Sequence, residues 1–253
     1  MDKRDRRDEA CLVLNMYIPS TQSTNIFLKE KVKTETLPEF FAVRTAFQTA
    51  GKGQVGNRWE AQRGKNLLFS VLLKPHHIAI QEQFIISQLV SVAIVRVMQN
   101  HKVDCSIKWP NDIYVDNKKL GGILIENSLR GSQIEYSIIG IGLNINQVEF
   151  KSDAPNPVST FNILDKKIAL KSLFFEIVAQ LKQLYTESNY AKIKSEYLKF
   201  IYRKNGLYSY RYPRGDQFEA EINAIGNDGQ LWLKKHNGEI LGFYFKEVEF
   251  VLS

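Results

Sequence analysis

Four short segments carry the residues with the most chemical potential in this sequence. Gly51-Lys52-Gly53-Gln54-Val55-Gly56-Asn57-Arg58 sets three glycines among two cations and two amides. Glycines let backbone N–H groups approach an anion closely, and Lys52 and Arg58 place charge beside them. The string matches GxGxxG, but a dinucleotide-binding motif opens a helix, whereas this loop runs toward the apolar, strand-like run Asn66–Leu73. It also has the G-x4-G spacing of a P-loop without the Lys-Ser/Thr that must follow. Taken alone, the loop suits an anion cradle or a mobile surface loop equally well. Lys108-Trp109-Pro110-Asn111-Asp112 gathers a cation, an amide and a carboxylate in a proline turn between apolar runs, although Asn111 and Asp112 could simply cap that turn. Lys119-Leu120-Gly121-Gly122 puts a lysine at the mouth of a buried strand, where the glycines either tolerate a bulge or admit a ligand. Gly140-Ile141-Gly142-Leu143-Asn144 ends another strand in small residues and amides. Together the four segments point to a pocket for a phosphate-bearing ligand.

The elements that must position them read as mixed α/β. Strands are expected at Phe40–Phe47, Asn66–Leu73, Ile113–Val115, Leu120–Glu126 and Ile134–Gly140, the last three pairing antiparallel through hairpin-like connections. Ile80–Asn100 is apolar on almost every face, as a buried helix would be. Leu170, Leu173, Phe174, Ile177, Val178, Leu181, Leu184 and Tyr185 fall at helical spacing, and a second helix is expected over about Tyr190–Tyr202. From Gly206 onward, short strands and Pro, Gly and Asn turns suggest a small all-β barrel that needs docking for stability. The expected division is a frayed stretch over 1–14, a catalytic domain over 15–204 and the small β-domain over 205–253.

Composition narrows the function classes. With 253 residues, 44% of them apolar, the chain can bury a sizeable core. The start, MDKRDRRDEA, has no apolar stretch of the kind a signal peptide needs. Cys11 and Cys105 are far apart and outside any CxxC pair, so a reducing, cytoplasmic setting fits. No run approaches the roughly 18 apolar residues of a membrane span. His76, His77, His101 and His236 lack metal-ligand spacing, and no metal ligands can be named from the sequence. The net charge of +7 invites a nucleic-acid reading. Yet residues 51–100 hold 6 Lys+Arg against 2 Asp+Glu, so much of the excess surrounds the glycine loop.

Ser23-Thr24-Asn25 ahead of a helix, Gln48-Thr49-Ala50-Gly51-Lys52-Gly53 with Trp59, the Lys108–Asp112 and Lys119–Gly122 segments, and Gly140–Asn144 resemble biotin–protein ligases in order and spacing. The resemblance covers roughly residues 15–253. It implies an α+β fold, a mixed, largely antiparallel sheet backed by helices and related to class II aminoacyl-tRNA synthetases, with a small SH3-like C-terminal barrel. It further implies that biotin and Mg-ATP (Mg2+ being the expected metal) form biotinoyl-5′-AMP, from which biotin passes to a lysine of a biotin carboxyl carrier domain. By this resemblance Lys119 and Lys108 are catalytic. Ser23, Thr24, Asn25, Gln48, Gly51, Lys52, Trp59, Gly121 and Gly122 hold biotin. Lys52, Gly53, Gln54, Asn57, Arg58, Trp59, Lys108, Asn111, Lys119 and Asn144 hold ATP and the adenylate. The family loop is commonly arginine-rich, whereas Lys52, Gln54 and Asn57 stand at arginine positions here, so adenylate should escape more readily. About fifteen residues precede the match, too few for a helix-turn-helix, so a monofunctional enzyme that binds neither DNA nor membrane is expected, with a homodimer left open. A lipoate–protein ligase of the same fold is the first alternative, and a nucleic-acid-binding or regulatory module the second.

Overall fold

The computed structural model describes residues 14–54, 58–151 and 156–252. Its larger sheet has seven strands: β1 (Asn15–Ile18), β2 (Ala42–Thr45), β3 (Leu67–Leu73), β4 (Ser106–Lys108), β5 (Asp112–Val115), β6 (Lys118–Arg130) and β7 (Gln133–Leu143). They lie in the order β1-β2-β3-β7-β6-β5-β4. Only the β1–β2 pair is parallel; the other neighbours are antiparallel, and for β5, β6 and β7 this is the pairing expected from their hairpin connections. β1 and β4, with four and three residues, are too short for alternation to announce them and were not anticipated.

Five helices accompany the sheet: α1 (Thr24–Thr34), α2 (Phe84–Asn100), α3 (Thr160–Leu164), α4 (Leu170–Glu187) and α5 (Tyr190–Phe200). Successive strand residues face opposite ways. Phe69, Val71, Ile139, Ile141 and Leu143 point into the main core with α2 and α4, while Val43, Leu72 and Ile138 point to a smaller cluster with Leu28 of α1. Helices therefore back both faces. All seven residues of β3 are buried, which is why its sequence is continuously apolar. The stretch Ile80–Asn100 is long and apolar enough, by length and composition, to cross a membrane, contrary to the expectation that no run would be. It is instead a core helix, with 13 of the 17 residues of α2 buried.

The C-terminal segment forms an antiparallel sheet ordered β11-β10-β9-β8-β12, from β8 (Tyr208–Arg211), β9 (Gln217–Ile225), β10 (Leu231–Lys235), β11 (Ile240–Phe243) and β12 (Glu249–Phe250). It is docked, as its size requires. Tyr210, Ala220, Leu231, Leu233, Phe243 and Val248 belong to the same core cluster as the large sheet. The Trp109 indole N–H donates to Gly229 O at 2.9 Å, joining the Lys108–Asp112 turn to this sheet. Cys105 is a buried free thiol whose pKa is driven up by burial, consistent with an inert role. Cys11 lies outside the described residues.

Candidate functional site

The site grows from a run of glycines on the α1 face of the sheet. Gly142 opposes Gly122 across β7–β6, and Gly140 opposes Leu124; Ser70 and Leu68 of β3 continue the same face. Without side chains, the strands leave a floor onto which other elements are laid. At Gly140, a Cβ would meet Asn25 Oδ1 at 2.3 Å, and at Gly142 it would meet the Trp59 indole at 2.7 Å. A cavity of about 850 Å³ opens over this floor, within the range of small-molecule and cofactor sites.

One end of the cavity is a closed polar network. Ser23 is the N-cap of α1, yet its side chain makes no capping bond and faces the cavity while buried. Gln48 Oε1 accepts from the Thr24 N–H at 2.7 Å and from Thr24 Oγ1 at 3.2 Å. Beneath them Ser70 Oγ, fully buried, lies 2.7 Å from Thr24 Oγ1 and 2.6 Å from Asn25 Oδ1. The Asn25 amide donates to Glu126 Oε2 at 2.7 Å and to Leu124 O at 3.3 Å. With both ends of its amide engaged, Asn25 serves as a strut that orients α1 over the floor.

The other end is cationic, and a β-bulge builds it. β5 pairs Ile113 with Gly121 but Tyr114 with Lys119, so Leu120 is an extra residue in β6. Strict alternation would turn Lys119 to the face of Gly121. The bulge instead sends Leu120 into the core and Lys119 to the site. Lys119 Nζ is 2.7 Å from Asp112 Oδ1 and 5.9 Å from the Trp59 ring. Its backbone is clamped by Asn156 O and the Val158 N–H, at 2.8 and 3.0 Å. Lys108 Nζ donates to Tyr114 Oη at 3.2 Å and faces the rings of Tyr114 and Phe250 at 4.8 and 5.4 Å. Burial lowers its pKa from the ordinary lysine value; Asp112 works against that, while Lys119 and Arg203 reinforce it. Asn111 is tied to β6 through its amide on Ile123 O and the Ile123 N–H on its own carbonyl.

Ser23, Thr24, Asn25, Gln48, Lys52, Gly53 and Gln54 line the cavity, as do Arg58, Trp59, Lys108, Asn111, Lys119 and Gly122. Three anticipated residues do not. Gly121 faces the core, where a Cβ would come within 2.3 Å of Leu143 Cδ2, so it is a packing glycine. Gly51 closes the base of the loop, its carbonyl accepting from the Trp59 N–H at 3.0 Å. Asn144 sits behind Lys119, its N–H on Leu120 O at 2.8 Å and its amide 3.4 Å from Lys119 O. Asn57 lies outside the described residues.

The sequence did not single out Ser70; it marked the segments that hold Gly140, Gly142 and Asp112 without giving these three residues a role, and left turn-capping as an alternative for Asp112. It also gave no contact for the C-terminal sheet. Arg211, Pro213, Phe245, Lys246 and the run Val248–Leu252 form a wall of the cavity. Among the described residues, no three His, Cys, Asp or Glu side chains gather as a metal cage.

The whole chain superposes on solved biotin protein ligases. The enzyme from Aquifex aeolicus, determined with biotin and ATP, aligns with a TM-score of 0.77 over 96% of this chain and 100% of that one, at 20% identity. At that identity the likeness establishes the fold. The sequence establishes the family: the model of the biotin/lipoate A/B protein ligase family matches residues 17–144, from β1 through β7, and the chain belongs to that family. The bifunctional ligase/repressor BirA of Bacillus subtilis is 34% identical over 137 residues, 54% of this chain and 41% of that relative. Biotin–protein ligase 1, chloroplastic, of Arabidopsis thaliana is 26% identical over 231 residues, 79% of this chain and 59% of that one. The chain thus matches less than two thirds of the length of either relative.

Proposed function

We propose that this protein is a biotin–protein ligase that condenses biotin with ATP to biotinoyl-5′-AMP and passes biotin to a lysine of a biotin carboxyl carrier domain. The observation that carries the reading is a single cavity lined both by the hydrogen-bonding groups of Ser23, Thr24 and Gln48 and by the cations Lys52, Arg58, Lys108 and Lys119. The first suits the ureido ring of biotin; the second suits a carboxylate beside a polyphosphate. In the first step a biotin carboxylate oxygen attacks the α-phosphorus of ATP and pyrophosphate leaves. In the second, a carrier amine attacks the acyl carbon, loses a proton, and AMP leaves.

Like charges must meet in the first step, so the work falls to cations and oriented donors rather than to a nucleophilic side chain. Lys119 is placed to stabilise the charge shared by the carboxylate and α-phosphate as these compete with Asp112 for its ammonium. Lys108 and Asn111 hold the nucleotide. Asn111, which lines the cavity, would help hold the magnesium that accompanies the nucleotide, and that ion would offset phosphate charge. Trp59, laid on Gly142, covers the bound ring and tail. A cytoplasmic location rests on the cysteine content and the N-terminal composition, and the carrier as partner and a homodimer rest on the family resemblance.

Biotin is favoured over lipoate by Ser23, Thr24 and Gln48. A dithiolane ring would offer no hydrogen bond to the buried Ser23 hydroxyl or to the edges of Thr24 and Gln48 that line the cavity, and such mismatches discriminate strongly. Pyrophosphate exchange into ATP, measured with biotin, lipoate or neither, tests the assignment. Exchange only with biotin is expected. Exchange with lipoate but not biotin would overturn the substrate, and no exchange would overturn the activity.

A further inference from the structure

We propose that Phe250 of the C-terminal sheet is a positioning residue for the nucleotide, acting by holding the Lys108 ammonium between its own ring and that of Tyr114. The inference rests on the reading that Lys108 contacts ATP. Lys108 ends β4, an edge strand of the large sheet. Among the described residues no carboxylate pairs with its ammonium; what surrounds it is the hydroxyl of Tyr114 and two aromatic faces, at 4.8 and 5.4 Å. Ring faces attract a desolvated cation and leave its N–H groups directed elsewhere. A carboxylate would have neutralised the charge, whereas two rings orient it and keep it available to phosphate oxygens.

The partner ring is itself built in from several sides. Phe250 lies opposite Tyr210 in the β12–β8 pair, with ring centroids 5.0 Å apart. Tyr202 bridges Tyr114 and Phe250, at 5.5 and 6.3 Å, and its backbone N–H donates to Ile107 O of β4 at 2.8 Å. Arg203 then fastens the end of β12, donating to Val251 O at 2.8 Å and to Ser209 O at 3.4 Å. Two residues long, β12 would be marginal as a strand; these attachments set Phe250 against Lys108 rather than leaving it as a surface aromatic. Through them the C-terminal sheet governs the geometry of a cation contributed by the large sheet.

The test compares Phe250→Leu and Phe250→Trp in the full chain. Lys108 is followed by 13C-dimethyl-lysine NMR, its resonance assigned by its loss in Lys108→Arg. Leucine keeps the site apolar but removes the ring's attraction for the charged form, so Lys108 should titrate at a pH about half a unit lower. The facing groups Asp112, Lys119, Arg203 and Tyr114 stay in place in both variants. In exchange assays KM for ATP should rise about three- to tenfold with KM for biotin within about twofold, and Phe250→Trp should restore both readouts. An unchanged titration, or equal rises in both KM values that tryptophan does not rescue, would overturn the clamp. The titration needs no turnover, so a shifted Lys108 in a protein without biotin-dependent exchange would uphold the clamp and overturn the proposed function.

Discussion

The two ends of the cavity solve opposite problems with opposite means. At the α1 end, Thr24, Asn25, Gln48 and Ser70 bond to one another and to Glu126 so fully that their positions are set before anything binds. At the β4–β6 end, Lys119 has one carboxylate and Lys108 has ring faces and a phenol. Recognition of a neutral, polar ring benefits from acceptors and donors already fixed in space, since an unmatched buried group is costly. Activation needs charge that can be redirected, and a fully paired lysine would have to break strong bonds first. The contrast teaches that rigidity in this site is local and follows the chemistry each end must do.

Variants can break this comparison one end at a time. The largest effect is expected for Lys119→Ala, which should lower biotin-dependent pyrophosphate exchange by about 100-fold or more with thermal stability retained. Equal activity would remove Lys119 from the chemistry. Gly142→Val should displace Trp59 and weaken biotin binding about tenfold in calorimetry, whereas Gly121→Val should meet Leu143 and cost stability of about 1–3 kcal/mol instead. If the two glycines gave the same phenotype, the assignment of the two sheet faces would fail. Ser70→Ala leaves the Asn25 amide oxygen short of a donor and removes a partner of the Thr24 hydroxyl; stability should drop by about 1–3 kcal/mol in urea titrations, and KM for biotin should rise while that for ATP holds.

The next effect is one of pH. Because burial depresses the Lys108 pKa, its charge is complete below that value and is lost as pH rises through it, before an ordinary lysine would deprotonate. ATP affinity should therefore decline on the alkaline side, and Lys108→Arg, charged throughout, should flatten the decline. The unfolded chain keeps the higher lysine pKa, so the same burial costs stability at neutral pH, and that cost shrinks as pH climbs past the folded value. Smallest is the loop: Gln54→Arg should slow release of labelled biotinoyl-AMP severalfold, and no slowing would dissociate retention from this position.

What the sequence disclosed and what it hid follow the range of each interaction. The all-round apolarity of α2 and the spacing of α4 arise within one element, so both helices were legible, as were the hairpins of β5, β6 and β7. Lys119 and Lys108 stood out because charge beside apolar strands is conspicuous. Gly121 and Gly122 were legible as a pair with two explanations, and both apply: one residue packs on Leu143 and the next floors the cavity, the bulge at Leu120 sorting them. Ser70 was hidden inside an apolar strand, where one hydroxyl reads as tolerated polarity; its partners are 45 and 46 residues away. Asp112 carried a turn-cap alternative, and nothing in the sequence singled out Phe250, whose contact with Lys108 forms only when the second sheet docks.

The placement of Trp59 gives the protein an optical reporter. Of three tryptophans, Trp109 also lines the cavity but is 5% exposed with its indole anchored to Gly229, and Trp232 lies in β10 outside the cavity lining. Trp59 rests on the cavity floor, its indole N–H without a hydrogen-bond partner among the described residues and a lysine ammonium 5.9 Å from its ring. Any molecule that settles against Trp59 must change the polarity and field around that indole. Emission from the unlabelled protein should thus follow occupancy of the cavity in real time, and the signal should vanish in Trp59→Phe.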